Sequence, residues 1–271
     1  MSPEAFDRLQ SLMASRAGFR LTRDRMKLAE HRLGPLARRE GYETVEAMLA
    51  SLWAKPVAAL AWAVIEALLN PETWFRRDRP TFDTFAGELL PALSAARGGA
   101  PVKVWSAGCS TGQEAWSLAI GALEAGFPVE IVATDLSQRA LEKARSGAYT
   151  GFEIQRGLKA GTMLTWFDQT EENWIAKPQL RAVAHFARAN LLDPPTDDHR
   201  FDVIFCRHVL GDMEPARRGQ VLDNLERRLV DDGCLFLGVE EVLEGDSIAF
   251  RPVAGRPGLF VKSPPALRRA A

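Results

Sequence analysis

The apolar pattern changes period at Gly98-Gly99-Ala100-Pro101, so the two sides of that linker must fold by different rules. Before it, apolar residues recur at helical spacing and no strand is evident. Ser2 with Pro3 forms a helix-opening pair, and Phe6, Leu9, Leu12 and Met13 share one face of the helix that follows. A second helix is predicted from about Thr22, placing Met26, Ala29 and Leu33 together. Gly34-Pro35 is expected to break or kink it, because proline lacks a backbone donor and crowds the preceding turn. Further helices are predicted over Thr44 to Trp53 and Pro56 to Asn70. The expectation is an N-terminal all-α domain over residues 1–93.

Beyond the linker, strands and helices alternate. Val102 to Trp105, Val129 to Thr134, Phe201 to Cys206 and Cys234 to Gly238 read as strands. Ala115 to Ala125, Ser137 to Ser146 and about Glu214 to Val230 read as helices, the last ended by Asp231-Asp232-Gly233. Such alternation predicts an α/β domain over residues 94–271, its sheet mostly parallel and doubly wound by helices. Between Ala148 and Asn190 the alternation is lost, which predicts a small inserted subdomain over 148–190.

Composition narrows the function. The 271 residues are 46% hydrophobic, which supplies cores for two such domains and excludes whole-chain disorder. Thirty-four Lys and Arg against 35 Asp and Glu leave a net charge of -1, so no global basic field exists for nucleic acid. Cys109, Cys206 and Cys234 are too few and too scattered for a disulfide framework, and suit a reducing, cytoplasmic setting. The acid-bearing start, Met1 to Asp7, is unlike a secretory signal, and the apolar stretch from Pro56 to Asn70 is too short for a membrane span and carries Glu66. His31, His185 and His199 lack ligand-like spacing, so no metal is expected. Trp53, Trp62, Trp105, Trp116 and Trp166 sit in apolar patterns and are expected in the core.

The strongest local signal is Val104-Trp105-Ser106-Ala107-Gly108-Cys109-Ser110-Thr111-Gly112-Gln113-Glu114, a strand running through a glycine turn into a helix. A turn built on Gly108 lets main-chain amides approach a ligand. Glu114, in the first helical turn, would repel a phosphate and suits a ligand ammonium. The next strand ends at Asp135, where α/β nucleotide binders grip ribose hydroxyls. Together these describe S-adenosylmethionine. The same spacing also fits an ordinary strand–helix turn with two helix-capping acids.

Several ordered stretches resemble the CheR-type chemoreceptor glutamate methyltransferases: Glu72 to Asp78 (ETWFRRD), Val102 to Ala119, Ala133 to Tyr149, Arg156-Gly157-Leu158, Trp166-Phe167, Asn190-Leu191-Leu192 and Phe201 to Leu210 (FDVIFCRHVL). The likeness runs from about Phe6 to Lys262. It implies a Rossmann-like class I methyltransferase domain and S-adenosylmethionine as methyl donor, with S-adenosylhomocysteine as product. By this resemblance the cofactor contacts fall on Thr73, Arg77, Glu114, Asp135, Asn190, Leu191 and Arg207. Glu114 would take the ammonium, Asp135 the ribose, and Asn190 with Leu191 the adenine edge. Arg77 would lie near the transferring methyl and help place the substrate carboxylate.

The family's usual Cys-Arg-Asn is here Cys206-Arg207-His208, and its active-site Tyr position holds Asp212. His208 is read either as a replacement hydrogen-bond partner of the cofactor or as a satisfied loop histidine. Pro71 and Arg76 also depart from the family pattern. An anionic Asp212 would attract a sulfonium yet repel a substrate carboxylate. Two functions follow: an enzyme that esterifies receptor glutamates, or a degenerate module that binds the cofactor without that transfer. A small-molecule methyltransferase is a third. Between Arg16 and Glu40, eight Lys or Arg face three acids. By the resemblance this basic segment would dock a chemoreceptor or receptor-like partner; by itself it also reads as a solvated helix face.

Overall fold

The computed structural model describes residues 1–243 and 247–264. They divide into two compact units, Met1–Asn70 with Asp212–Arg218, and Pro71–Gly211 with the described residues from Gly219 onward.

The first unit is built from α1 (Pro3–Ala17), α2 (Met26–Arg39), α3 (Val45–Ala54) and α4 (Ala58–Leu68), with a 3-10 turn at Arg23–Arg25. The Ser2 hydroxyl caps α1 by accepting from the Ala5 amide, and Thr44 caps α3 in the same way. Phe6, Leu9, Met13, Leu33, Met48 and Val64 are fully buried, as the helical spacing requires. Gly34-Pro35 does not break α2, which continues to Arg39. An interior proline costs about 3 kcal/mol; burial of Leu33, Leu36 and Ala37 on both sides of it holds the helix against its core.

The unit border falls at Asn70/Pro71, whereas the sequence pattern places it at residue 93. The reason is packing: Phe75, Phe82, Phe85 and Leu90 join the core formed by Val104 and Trp116. These residues ride on the segment before α5 (Arg79–Thr84), a π-helical turn (Phe85–Leu89) and α6 (Leu90–Ala96). There follow β1 (Val102–Ala107), α7 (Gln113–Ala125), β2 (Val129–Asp135), α8 (Gln138–Ser146), β3 (Ala148–Tyr149), α9 (Gly151–Gln155), α10 (Ala160–Trp166), β4 (Phe167–Gln169), β5 (Trp174–Ala176), α11 (Pro178–Arg181), β6 (Ala184–Arg188), β7 (Phe201–Phe205), α12 (Pro215–Arg228), β8 (Leu229–Phe236), β9 (Phe250–Pro252) and β10 (Leu259–Lys262).

The main sheet has the order β6-β2-β1-β7-β8-β10-β9. Its first five strands are parallel, and β10 and β9 are antiparallel additions. Strand order runs outward from β1 to β2 and β6, then reverses to β7 and β8. Right-handed crossovers therefore put helices on opposite faces either side of β1, and open a crevice at the carboxyl ends of β1 and its neighbours. The inserted subdomain is a three-stranded antiparallel sheet, β3-β5-β4, with short helices. It closes before Ala184 rather than at Asn190, because β6 returns to pair with β2. Asp231-Asp232-Gly233 does not follow a helix end as a loop but lies within β8. A side chain at Gly233 would sit 2.7 Å from the Asp202 carbonyl oxygen, so its glycine permits the close approach of β7 and β8.

Of the five tryptophans expected inside, Trp105 and Trp116 are buried. Trp53, Trp62 and Trp166 are half-buried, since an indole is too large to be covered by one helix neighbour. The three cysteines are free and buried. Among the described residues, no helix is long and apolar enough to cross a membrane, and no group of His, Cys, Asp or Glu is arranged to hold a metal.

Candidate active site

The glycine turn leaves the end of β1 with Gly108 at φ 82° and Gly112 at φ 94°, a region that favours glycine. A Cβ at Gly112 would lie 2.8 Å from the Ala144 methyl and 3.0 Å from the Tyr149 hydroxyl, so α8 closes on the turn only because Gly112 has no side chain. The Gly108 and Cys109 amides both donate to the Thr134 carbonyl, tying the turn to the end of β2. One residue on, Asp135 is oriented through both oxygens. Its Oδ2 accepts from the Ser110 amide at 2.7 Å and its Oδ1 from the Ser137 amide at 2.9 Å.

Glu114 stands in the first turn of α7. Its Oε1 accepts from the Ser106 hydroxyl at 2.7 Å, and its Oε2 from Arg207 Nη1 at 3.0 Å. Arg207 follows β7 and has a side chain only 1% exposed. Its Nη2 donates to Asp78 Oδ2 at 2.7 Å and to the Arg77 carbonyl at 2.6 Å. His208 Nε2 lies 2.8 Å from the same Asp78 oxygen. The ends of β1 and β7 and the segment before α5 are thereby joined through one buried guanidinium.

Four non-glycine residues among those described have positive φ: Arg76, Asp78, Ser110 and His208. All four lie in the segments just described. Such a conformation costs about 1–2 kcal/mol per residue and persists where surrounding bonds dictate it. Asn, Asp and His tolerate the left-handed region better than other side chains. At φ 58°, position 208 is one that a His backbone tolerates.

Arg77 stacks on Trp74, its Cζ 4.4 Å from the ring centroid, and donates to the Glu72 carbonyl. Arg156 covers the same ring at 3.9 Å, so Trp74 carries two guanidiniums. Thr73 is half-buried in this segment. Gly157 allows the approach: a Cβ there would fall 1.8 Å from the Phe75 carbonyl oxygen. The Asn190 side chain accepts from the Leu192 amide, and Asn224 holds the Leu191 carbonyl at 2.9 Å. Burial pushes the Cys109 thiol up, and the Asp135 and Glu114 carboxylates push it further, so it stays protonated and makes no nucleophile.

Glu114, Arg207, His208 and, through its carbonyl, Arg77 are thus brought into one hydrogen-bonded cluster; Asp135 sits beside Gly108 at the adjacent strand end. Asp212 is placed otherwise. It closes a 3-10 turn at Leu210–Asp212 and belongs to the helical unit, where its carboxylate is 3.8 Å from Arg25 Nη1 and its carbonyl accepts from the Arg20 amide. Three participants escape the sequence pattern. Asp78 lies inside a family-like motif without an assigned role, Ser106 is an ordinary strand residue, and Glu241 accepts main-chain amides from residues 30 or more positions away, which no local pattern signals.

A glycine turn after β1, Glu114 in the first turn of the helix that follows, and Asp135 at the end of the adjacent parallel β2 stand beside the point where strand order reverses, the place where Rossmann-like doubly wound folds bind their ligands. Residues 71–259 match the family described as "CheR methyltransferase, SAM binding domain", and the chain belongs to that family. Chemotaxis protein methyltransferase of Vibrio parahaemolyticus is 31% identical, over 97% of this chain and 98% of that one. Chemotaxis protein methyltransferase 1 of Pseudomonas aeruginosa is 30% identical, over 95% and 97%. The probable biofilm formation methyltransferase WspC of the same organism is 33% identical over 73% of this chain and 48% of its own length. The chain is an S-adenosylmethionine-dependent methyltransferase.

Proposed function

We propose that this methyltransferase forms methyl esters on glutamate side chains of a chemoreceptor or receptor-like signalling protein. The observation that carries the reading is the Glu114–Arg207–Asp78 cluster beside Asp135, three carboxylates against one guanidinium. Such a crevice suits a ligand whose sulfonium and ammonium outweigh its single carboxylate. Arg207 Nε, buried without a partner among the described residues, leaves one donor for a ligand acceptor to answer.

S-adenosylmethionine supplies the electrophilic methyl when bound. Glu114, already oriented by Ser106 and Arg207, accepts from its ammonium, and Asp135 accepts from its ribose hydroxyls. Gly108 gives main-chain access, Asn190 and Leu191 border the adenine edge, and Thr73 lines the same crevice. Arg77, held over the Trp74 ring, presents a planar fork of donors to the substrate carboxylate. A glutamate carboxylate, with a reference pKa of about 4.3, is ionised at neutral pH and needs no general base. The protein's work is alignment.

The basic helical unit supplies the docking face. Arg16, Arg20, Arg23, Lys27, Arg38 and Arg39 are all exposed there, a sign of charge suited to an acidic receptor segment. With three free, buried cysteines, the setting is the cytoplasm. Titration calorimetry with S-adenosylhomocysteine, run beside Asp135→Ala, tests the pocket: binding to the wild type and its loss in the variant are expected. Transfer of labelled methyl to a receptor fragment as a base-labile ester tests the reaction. A second reading, cofactor binding without transfer, is favoured by Asp212 and its pairing with Arg25. Methyl transfer gained only in Asp212→Tyr would establish it.

A further inference from the structure

We infer that Glu241 is a positioning residue for cofactor binding, acting through the main chain of the turn that carries Arg207 and His208; the inference rests on the pocket proposed above. Glu241 follows β8, and its single carboxylate accepts three main-chain N–H groups. Oε2 takes those of His208 at 2.8 Å and Gly238 at 2.7 Å, and Oε1 takes that of Gly211 at 3.0 Å. The turn after β7 is thereby fastened to the end of the neighbouring strand. Gly238 makes the approach possible, since a Cβ there would lie 2.9 Å from both Glu241 Oε2 and His208 Nδ1.

What this clamp holds is a left-handed backbone at His208, φ 58°. In that conformation the imidazole Nε2 meets Asp78, and Asp78 in turn accepts from Arg207, which holds Glu114. A carboxylate, having acceptors only, matches three converging donors. A glutamine cannot, because its amide nitrogen would face one of the N–H groups donor to donor. Released from the clamp, residue 208 relaxes toward negative φ, and the Asp78 and Arg207 contacts lose their alignment.

The test is a double-mutant cycle on S-adenosylhomocysteine affinity, with Glu241→Gln in the wild-type and His208→Gly backgrounds. Glycine adopts positive φ freely and so does not need the clamp. The expected result is an affinity loss of about tenfold in the wild-type background and under about threefold in the His208→Gly background. Hydrogen exchange of residues 206–211 should quicken in Glu241→Gln in both the free and bound protein, which a defect elsewhere would not produce. If Glu241→Gln does not fold, Glu241→Asp, one methylene shorter, loses reach to at least one amide and is read the same way. Unchanged affinity, or an equal loss in both backgrounds, overturns the inference. Failure of the wild type to bind S-adenosylhomocysteine instead overturns the pocket on which it rests.

Discussion

Asp78 and His208, 130 positions apart, meet at 2.8 Å, and both hold left-handed backbone, at φ 57° and 58°. Each conformation is costly alone, and their mutual contact, shared with Arg207, helps hold both. Asp78→Asn tests the charge with little backbone disturbance, because asparagine also tolerates this region. Arg207 then keeps a neutral acceptor in place of a carboxylate. Affinity for S-adenosylhomocysteine is expected to fall about tenfold, measured by calorimetry; a change under about twofold would remove Asp78 from the site.

Gly157 lies at φ 116°, and a methyl there would overlap the Phe75 carbonyl. Gly157→Ala is expected to lower unfolding free energy by roughly 2 kcal/mol or more, since both backbone strain and steric overlap oppose it. Gly161, within α10 and with open space around its Cβ position, is the control. Gly161→Ala should be neutral or stabilise by up to about 1 kcal/mol. Urea unfolding of both variants decides, and equal effects would contradict the packing described.

Arg97 bridges Asp202 at 2.7 Å and Asp232 at 2.7 Å. Hydrogen bonding to Arg97 holds the Asp232 carboxyl below its usual range, despite a smaller opposing effect of burial. A depressed folded-state pKa adds stability above the unfolded value, near 4, and loses it as pH falls through the folded value. The melting temperature of the wild type should therefore exceed that of Asp232→Asn at neutral pH. The gap should close below about pH 4 and shrink in high salt, since Asp232 is well exposed. Thermal melts across that range check the sign; a gap that widens on acidification would contradict it.

If the basic face of the helical unit docks the substrate protein, reversing exposed charges should separate docking from cofactor binding. The combined variant Arg20→Glu, Lys27→Glu, Arg38→Glu is expected to lose about tenfold or more in methyl transfer to a receptor fragment, with a weaker salt dependence. Its affinity for S-adenosylhomocysteine should stay within about twofold. Transfer equal to that of the wild type would place docking elsewhere.

Local pattern makes the two-part architecture legible. Ser2, Thr44, Gly18 and Gly126 cap helices where short-range chemistry says they should. Glu114 stands in the first turn of α7 because the glycine turn opens that helix, and Asp135 ends β2 because the strand length puts it there. Of the break or kink expected at Pro35, the break does not occur, because propensity is local and burial of Leu33 and Leu36 is not. The sequence pattern assigns residues 71–93 to the helical half, while Phe75, Phe82 and Phe85 commit them to the sheet's core.

The sequence alone determined the helical first half, the alternation of strand and helix after the linker, the glycine turn, and the acids at positions 114 and 135, since each depends on residues a few positions apart. Only the tertiary structure decided that Arg207 joins Glu114 to Asp78, that His208 is held left-handed against Asp78, and that Glu241 fastens their turn. Those bonds link residues 30 to 130 positions apart. Their energy depends on distances and shared burial that appear only once the parallel sheet has brought the strand ends together.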